Sequence, residues 1–555
     1  MKKMKRMLSL LLAVMMMAAI LAGCGNSSQQ NNGGNNTQQN QNSPGTDSSD
    51  DSGGTEVSEE EKYGGTLRIA LSSTVSAQAL DPIYSNSSSV DQVTQQYGEG
   101  LVRMTSNGKF VPALATDWET SDDGLVWTFH LREGVHFQKG EFQDGREVTA
   151  DDVVYSMERS RTQHWNNPLF MVDSIEKVDD YTVQITLNQP YAAFLERCTS
   201  SNTIIVPKED VEGWGDEFGL HPTSIGPFQV VEHVADQYTK LVRNEDYWGT
   251  RPYLDALEYY CITDSAQALN ALLTGEVDIV LSLSADAIRQ VKPSNNITLY
   301  QEPACSVSYI GLNSRDEQLS DPNVRKALIM AVDASVLATA YQEGMAEANT
   351  LPIPLISWGY DESLLEFVPD YDPEAAKQLL ADAGYADGFK LKMNLVNNSD
   401  EMMRAATMVQ SYWSEIGVEL EIVPVSQSEM TEIYTSGTVQ TWAGTQGGYA
   451  DPATILGYFT SRAKLNTNQN SWGYDKEETE ELNKKALSLS DQEERKEIYL
   501  EIAEDFLGEY LGIFFANSNL NMAANSRVHG LTVENKTVLT ICGAPDTGVN
   551  IWVED

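Results

Sequence analysis

Positive charge is scarce in this 555-residue chain: 37 Lys and Arg stand against 81 Asp and Glu, a formal net charge of −44. A surface of that sign repels nucleic acid and anionic lipid along its whole length. Cysteine is scarce too. Five cysteines exclude a disulfide-built scaffold, and none falls in a CxxC pair or a Cys/His cluster with zinc-site spacing. The six histidines (His130, His136, His164, His221, His233, His529) are scattered. There is no GxxxxGK[ST] to cradle a nucleotide, no HExxH and no GxSxG elbow. Asp122-Asp123-Gly124, the nearest thing to paired carboxylates, lies between two strand-like runs and reads as a turn. These absences argue against an enzyme; no cofactor and no metal is expected.

What is present begins with a leader. Lys2, Lys3, Lys5 and Arg6 precede an apolar run from Leu8 to Ala22 that is too short to span a bilayer comfortably. It ends in Leu21-Ala22-Gly23-Cys24, which resembles the bacterial lipoprotein signal. The resemblance implies cleavage after residue 23 and lipidation of Cys24, hence anchoring on the extracytoplasmic face of a cell membrane. No other stretch approaches 18 apolar residues, so no second span is expected. Residues 25–62 are Asn, Gln, Ser, Gly and acids without an aromatic, a composition that cannot order itself and reads as a tether.

From Tyr63 onward strand and helix signals interleave, so the class is α/β or mixed α+β, and the length demands at least two lobes. Period-two runs mark strands at Trp127/Phe129/Leu131, Val183/Ile185/Leu187, Phe389/Leu391/Met393/Leu395 and Val418/Leu420/Ile422. Helix starts are marked by Thr149 with Asp152 as a capping box, and by Asp321-Pro322 and Asp372-Pro373. Met402, Ala406, Val409, Trp413 and Ile416 form an apolar stripe closed by Gly417. The acidic run from Asp475 to Glu509 reads as solvated faces of two helices. Cys198, Cys261, Cys305 and Cys542 are expected to be buried thiols, with up to two disulfides left open.

Several blocks together resemble a known family. They include Ala115-Thr116-Asp117-Trp118, Gly124-Leu125-Val126-Trp127-Thr128-Phe129, Thr149-Ala150-Asp151-Asp152-Val153-Val154-Tyr155-Ser156, Gly226-Pro227-Phe228, Leu241 to Gly249, Leu272 to Ile279, Asp321 to Leu328 and Tyr371 to Leu380. In colinear order over 63–555 they are similar to the peptide/nickel class (family 5) of extracellular solute-binding proteins of ABC importers, oligopeptide- and dipeptide-binding lipoproteins included. The resemblance implies a two-lobed, periplasmic-binding-protein-like fold with an inserted domain and a cleft between lobes. Lobe I would comprise 63–81, 188–265 and 526–555, the insert 82–187 and lobe II 266–525. Ligand would be captured by hinge closure, with a peptide bound as an added strand and passed to permease subunits with their ATPases; the receptor itself is expected to be a monomer.

In peptide-binding members an Asp after a Trp holds the ligand's α-amino group. Here the block runs from Trp442 to Pro452, and that position falls on Thr445 or Gly448, neither acidic. Asp451 is the one carboxylate in the block. The remaining expected cleft residues are Asn86, Ser87, Ser88, Leu169, Phe170, Arg404, Trp442 and Tyr449. The alternatives are a receptor for a metal chelate, an oligosaccharide or a modified peptide, or a surface sensor not coupled to import.

Overall fold

The computed structural model describes residues 58–554, apart from 86, 106–108, 165–166, 293–294, 398, 448–449, 461–468, 490, 532–540 and 543–549. The leader, Cys24 and most of the tether lie outside the described residues. Among the described residues no helix is long and apolar enough to cross a membrane, and no three metal-capable side chains cluster.

Two large mixed sheets organise the chain. The first has seven strands in the order Ile297–Pro303, Asn519–Asn525, Ile279–Val280, Thr66–Leu71, Ala256–Cys261, Tyr238–Arg243, Phe228–Val234. Thr66–Leu71 is central and parallel to both its neighbours. The second has six strands in the order Glu347–Ala348, Gly512–Asn517, Ser306–Leu312, Thr441–Gly447, Phe389–Val396, Val418–Val425. A separate four-stranded antiparallel sheet, Ala115–Thr120, Val126–Leu131, Thr182–Leu187 and Val172–Asp179, forms the inserted part. It has its own core of Phe129, Val183, Ile185, Leu187, Val153 and Met157.

The local signals explain these elements. Thr149 and Asp152 form the capping box of helix Ala150–Gln163. Asp321 and Asp372 cap helices that carry Pro at their first position. Helix Asp400–Glu415 buries Met402, Ala406, Val409 and Trp413, and stops at Gly417, whose φ of +89° suits only glycine well. The acidic run forms helices Glu477–Ser488 and Gln492–Gly508; the second buries Arg495, Ile498, Tyr499, Ile502 and Phe506 along one side.

Buried charge ties the recognisable blocks together. Asp278 accepts from the backbone N–H of Arg68 at 2.9 Å and meets Arg527 Nε at 2.8 Å, so it fixes the chain's return beside the central strand. Arg325 is buried and donates from Nη2 to the Glu509 carbonyl at 2.7 Å, a cation at the end of helix Gln492–Gly508. Arg159 grips Asp81 through both guanidinium nitrogens at 2.6 and 2.5 Å, pinning the inserted part to the segment after the first strand.

Strand pairing shows where the chain passes between the two large sheets. Strands Ile279–Val280, Ile297–Pro303 and Asn519–Asn525 all belong to the first sheet. The chain crosses once at 304–305 and returns at Ser518. The physical reason is pairing: Ile297–Pro303 and Asn519–Asn525 run antiparallel in full register, Pro303 opposite Asn519, so both crossings leave the first sheet side by side. All four described cysteines are free thiols, which closes the disulfide option.

Candidate functional site

The two crossings between the sheets lie side by side. The backbone N–H of Ala304 donates to the Ser518 carbonyl at 2.9 Å, and Asn517 Nδ2 donates to the Ala304 carbonyl at 3.0 Å. Beside them lies a hydroxyl cluster. Ser308 Oγ and Thr445 Oγ1 are 2.9 Å apart, Tyr341 OH is 3.3 Å from Thr445 Oγ1, and Ser518 Oγ is 3.4 Å from both Ser308 Oγ and Tyr341 OH. Strand pairing produces it, because Ser308 stands opposite Thr445 in the antiparallel ladder. Ser308 is buried and Thr445 exposed, so the cluster presents the threonine at its mouth.

The strand carrying Thr445 is half open. Along one edge Thr441–Gly447 pairs residue by residue with Ser306–Leu312. Along the other, strand Phe389–Val396 meets only Thr441 and Trp442. Among the described residues, no strand pairs with that edge from Ala443 to Gly447.

A second polar group lies where the inserted part meets the second body. Asp451 Oδ1 caps helix Pro452–Phe459 by accepting from Ala453 N–H at 2.9 Å, and Oδ2 lies 2.6 Å from Arg495 Nη2. The Arg495 guanidinium also covers the rings of Trp358 and Tyr499, at 5.2 and 5.5 Å. Close by is Glu196. Burial, then the Asp451 charge, push its carboxyl up to about 8, while Arg197 and Arg495 oppose the shift. Burial likewise pushes the Cys305 thiol up to about 12, with Glu196 adding to it.

The expected site residues scatter. Leu169 has no exposed surface and lies in the core of the inserted part. Trp442 is also fully buried; it faces an aromatic core of Tyr434, Trp472 and Phe514, and a Cβ at Gly311 would collide with its indole. Neither offers a surface to a ligand, because each side chain is packed inside a hydrophobic core. Phe170 is exposed and packs edge-on against Tyr191 at 5.6 Å. Ser87 caps helix Ser88–Tyr97, and Ser88 is exposed in its first turn. Arg404 donates from Nη2 to the Tyr341 carbonyl at 3.1 Å and lies 3.8 Å from Glu343, tied to its own body. Asn86, Tyr449 and Gly448 lie outside the described residues. Glu196, Cys305, Ser308, Tyr341, Arg495 and Ser518 were not anticipated. The one available signal was Arg495, a lone base on the apolar stripe of an acidic helix.

Two mixed sheets joined by two adjacent crossings, with an inserted four-stranded sheet, are the fold of a two-lobed solute-binding protein. A sequence model described as bacterial extracellular solute-binding proteins, family 5 Middle, matches residues 109–467. The chain belongs to that family, whose members are extracytoplasmic receptors and not enzymes. It is 29% identical over 457 residues to the dipeptide-binding protein of Escherichia coli (strain K12), covering 76% of this chain and 84% of that protein. It is 30% identical over 417 residues to heme-binding protein A of Haemophilus influenzae, covering 70% and 75%. Among solved structures, the periplasmic binding protein DppA from Helicobacter pylori in complex with the peptide STSA superposes with a TM-score of 0.77 at 27% identity, covering 90% of this chain and 99% of that one.

Proposed function

We propose that this chain is the receptor of an ABC importer and captures a peptide by closing its two bodies over it. The observation that carries this reading is the half-open strand: residues 443–447 present unpaired backbone beside the crossings, as strand addition by a peptide main chain requires. Such a mode draws affinity from backbone hydrogen bonds and tolerates varied side chains. It agrees with relatives named for dipeptides and with a structural neighbour holding a tetrapeptide. The protein would stand as a monomer, held on the extracytoplasmic face of a cell membrane through a lipidated Cys24, and would deliver ligand to permease subunits driven by their ATPases.

A second reading has a specific observation behind it. Thr445, with Ser308, Tyr341 and Ser518, puts uncharged hydroxyls at one of the two positions, the other being Gly448, where the family resemblance expects an amine-binding carboxylate. That favours a non-peptide or blocked ligand, and one relative is named for heme. Thermal shift of the purified body with pools of two- to nine-residue peptides, free and N-acetylated, tests the first reading. Pool members at about 100 times their Kd should stabilise it by about 2.7 kcal/mol. No shift with either pool would leave the non-peptide solute as the better reading.

A further inference from the structure

Leu487 sits in the last turn of helix Glu477–Ser488. That helix is built into the second body: Ala486 is fully buried in its aromatic core, and Asn483 Nδ2 donates to Thr460 Oγ1 at 3.1 Å. Leu487, one residue on, packs instead on the core of the inserted part, which holds Tyr191, Ala193 and Phe194. Its carbonyl is one of the last four of the helix, which find no donor within it. The donor comes from the inserted part: Ala192 N–H, at 2.7 Å. The inserted part is itself fixed to the first body. Arg159 grips Asp81, and the buried Gln138 donates from Nε2 to the carbonyls of Tyr97 and Phe228 at 3.1 and 2.7 Å. Leu487 and Ala192 therefore join the two bodies through residues that belong to neither crossing.

Among the described residues the chain passes between the bodies only at 304–305 and at Ser518. Every other contact between them is noncovalent, and movement about the crossings can break it. A half-buried leucine seated in the other body's core is stabilising only while the bodies are together. Once they part, its apolar surface returns to water, and the Ala192 N–H and Leu487 carbonyl are hydrated instead of paired. We propose that Leu487, with Ala192, is a latch that shuts when the bodies close and raises ligand affinity without meeting the ligand. The proposal rests on the reading of the chain as a receptor that closes over its ligand. A latch acts on the closing equilibrium alone, so it strengthens every ligand by one common factor. For a leucine buried to this extent that factor is about ten.

The test places cysteines at Ala192 and at the exposed Ser488, which leaves Leu487 in place, and bridges them with a short bis-maleimide. Bridged chain is counted by mass spectrometry, and each single-cysteine chain controls for the native thiols. The pair should crosslink without ligand, and Leu487→Asp in the same chain should slow crosslinking about tenfold or more. Leu487→Ala, the milder change, should slow it in the same direction and keeps the test open if the aspartate chain folds poorly. Calorimetry with pools of two- to nine-residue peptides, free and N-acetylated, should show Leu487→Ala weakening both by one factor of about ten. No crosslink in the parent pair, or a rate that both variants leave unchanged, overturns the latch. A pool that binds wild type and Leu487→Ala equally overturns it too. Losses that differ between the pools place Leu487 against the ligand, and also overturn it. If no pool binds wild type while the variants slow crosslinking, the peptide reading falls and the latch stands.

Discussion

Glu196→Gln makes a prediction about stability. The ordinary carboxyl value is 4.5, and the folded value is raised to about 8. Between these pH values the folded chain holds a proton that the unfolded chain has shed. Stability therefore falls as pH rises through the window, the reverse of an acid that gains a base on folding. For one group with this shift, stability drops by about 2.5 kcal/mol between pH 5 and pH 7, and by about 1.4 kcal/mol more by pH 9. Glutamine has the shape of the protonated acid and no titration. Urea unfolding of wild type and variant side by side cancels all other titrations, so the stability advantage of Glu196→Gln should widen by about 2.5 kcal/mol from pH 5 to pH 7. An advantage flat within about 0.5 kcal/mol over that range would refute the buried, unneutralised carboxyl. The same substitution should then stabilise the folded protein at neutral pH.

Four other outcomes are expected. Arg159→Met strands the Asp81 carboxylate in the interior and should lower unfolding stability by about 3–5 kcal/mol, with Asp81→Asn in the same chain recovering part of the loss in urea titrations. Trp442→Ala should lose about 3–5 kcal/mol by the same measurement, as expected of a fully buried indole. The thiols of Cys198, Cys261, Cys305 and Cys542 should titrate equally with and without reductant in denaturant, and slowly in the native protein, where burial raises each of them. Thr445→Asp puts a carboxylate within reach of the Ser308 and Tyr341 hydroxyls; it should raise the preference for free-amino over N-acetylated peptides about tenfold, read by competition.

Local chemistry made much of the scaffold legible. The caps at Thr149, Asp321 and Asp372 and the stop at Gly417 act through their own backbone neighbours, so a short window of sequence contains the whole cause. The alternating runs at 126–131, 182–187, 389–396 and 418–425 are strands for the same reason. Sheet membership was not legible. Ile279–Val280 and Asn519–Asn525 join one sheet although some 240 residues part them, and nothing local marks that pairing. Site residues fared worst. Leu169 and Trp442 are large apolar groups whose positions in a recognisable block do not say which way they point. Glu196 and Ser308 matter through what the fold sets opposite them.

The place of strand Asn519–Asn525 has a consequence for how the molecule is made. It lies inside the seven-stranded sheet, between Ile297–Pro303 and Ile279–Val280. Synthesis runs from the amino end, so the second body, one continuous stretch from 306 to 517, is complete before the first can be. Until the last strand arrives, two strands of the first sheet keep bare edges, the kind of template on which chains aggregate. The seven-stranded sheet is the first to begin and the last to finish, and a chain cut short before Asn519 forfeits that earlier sheet while the six-stranded one is whole.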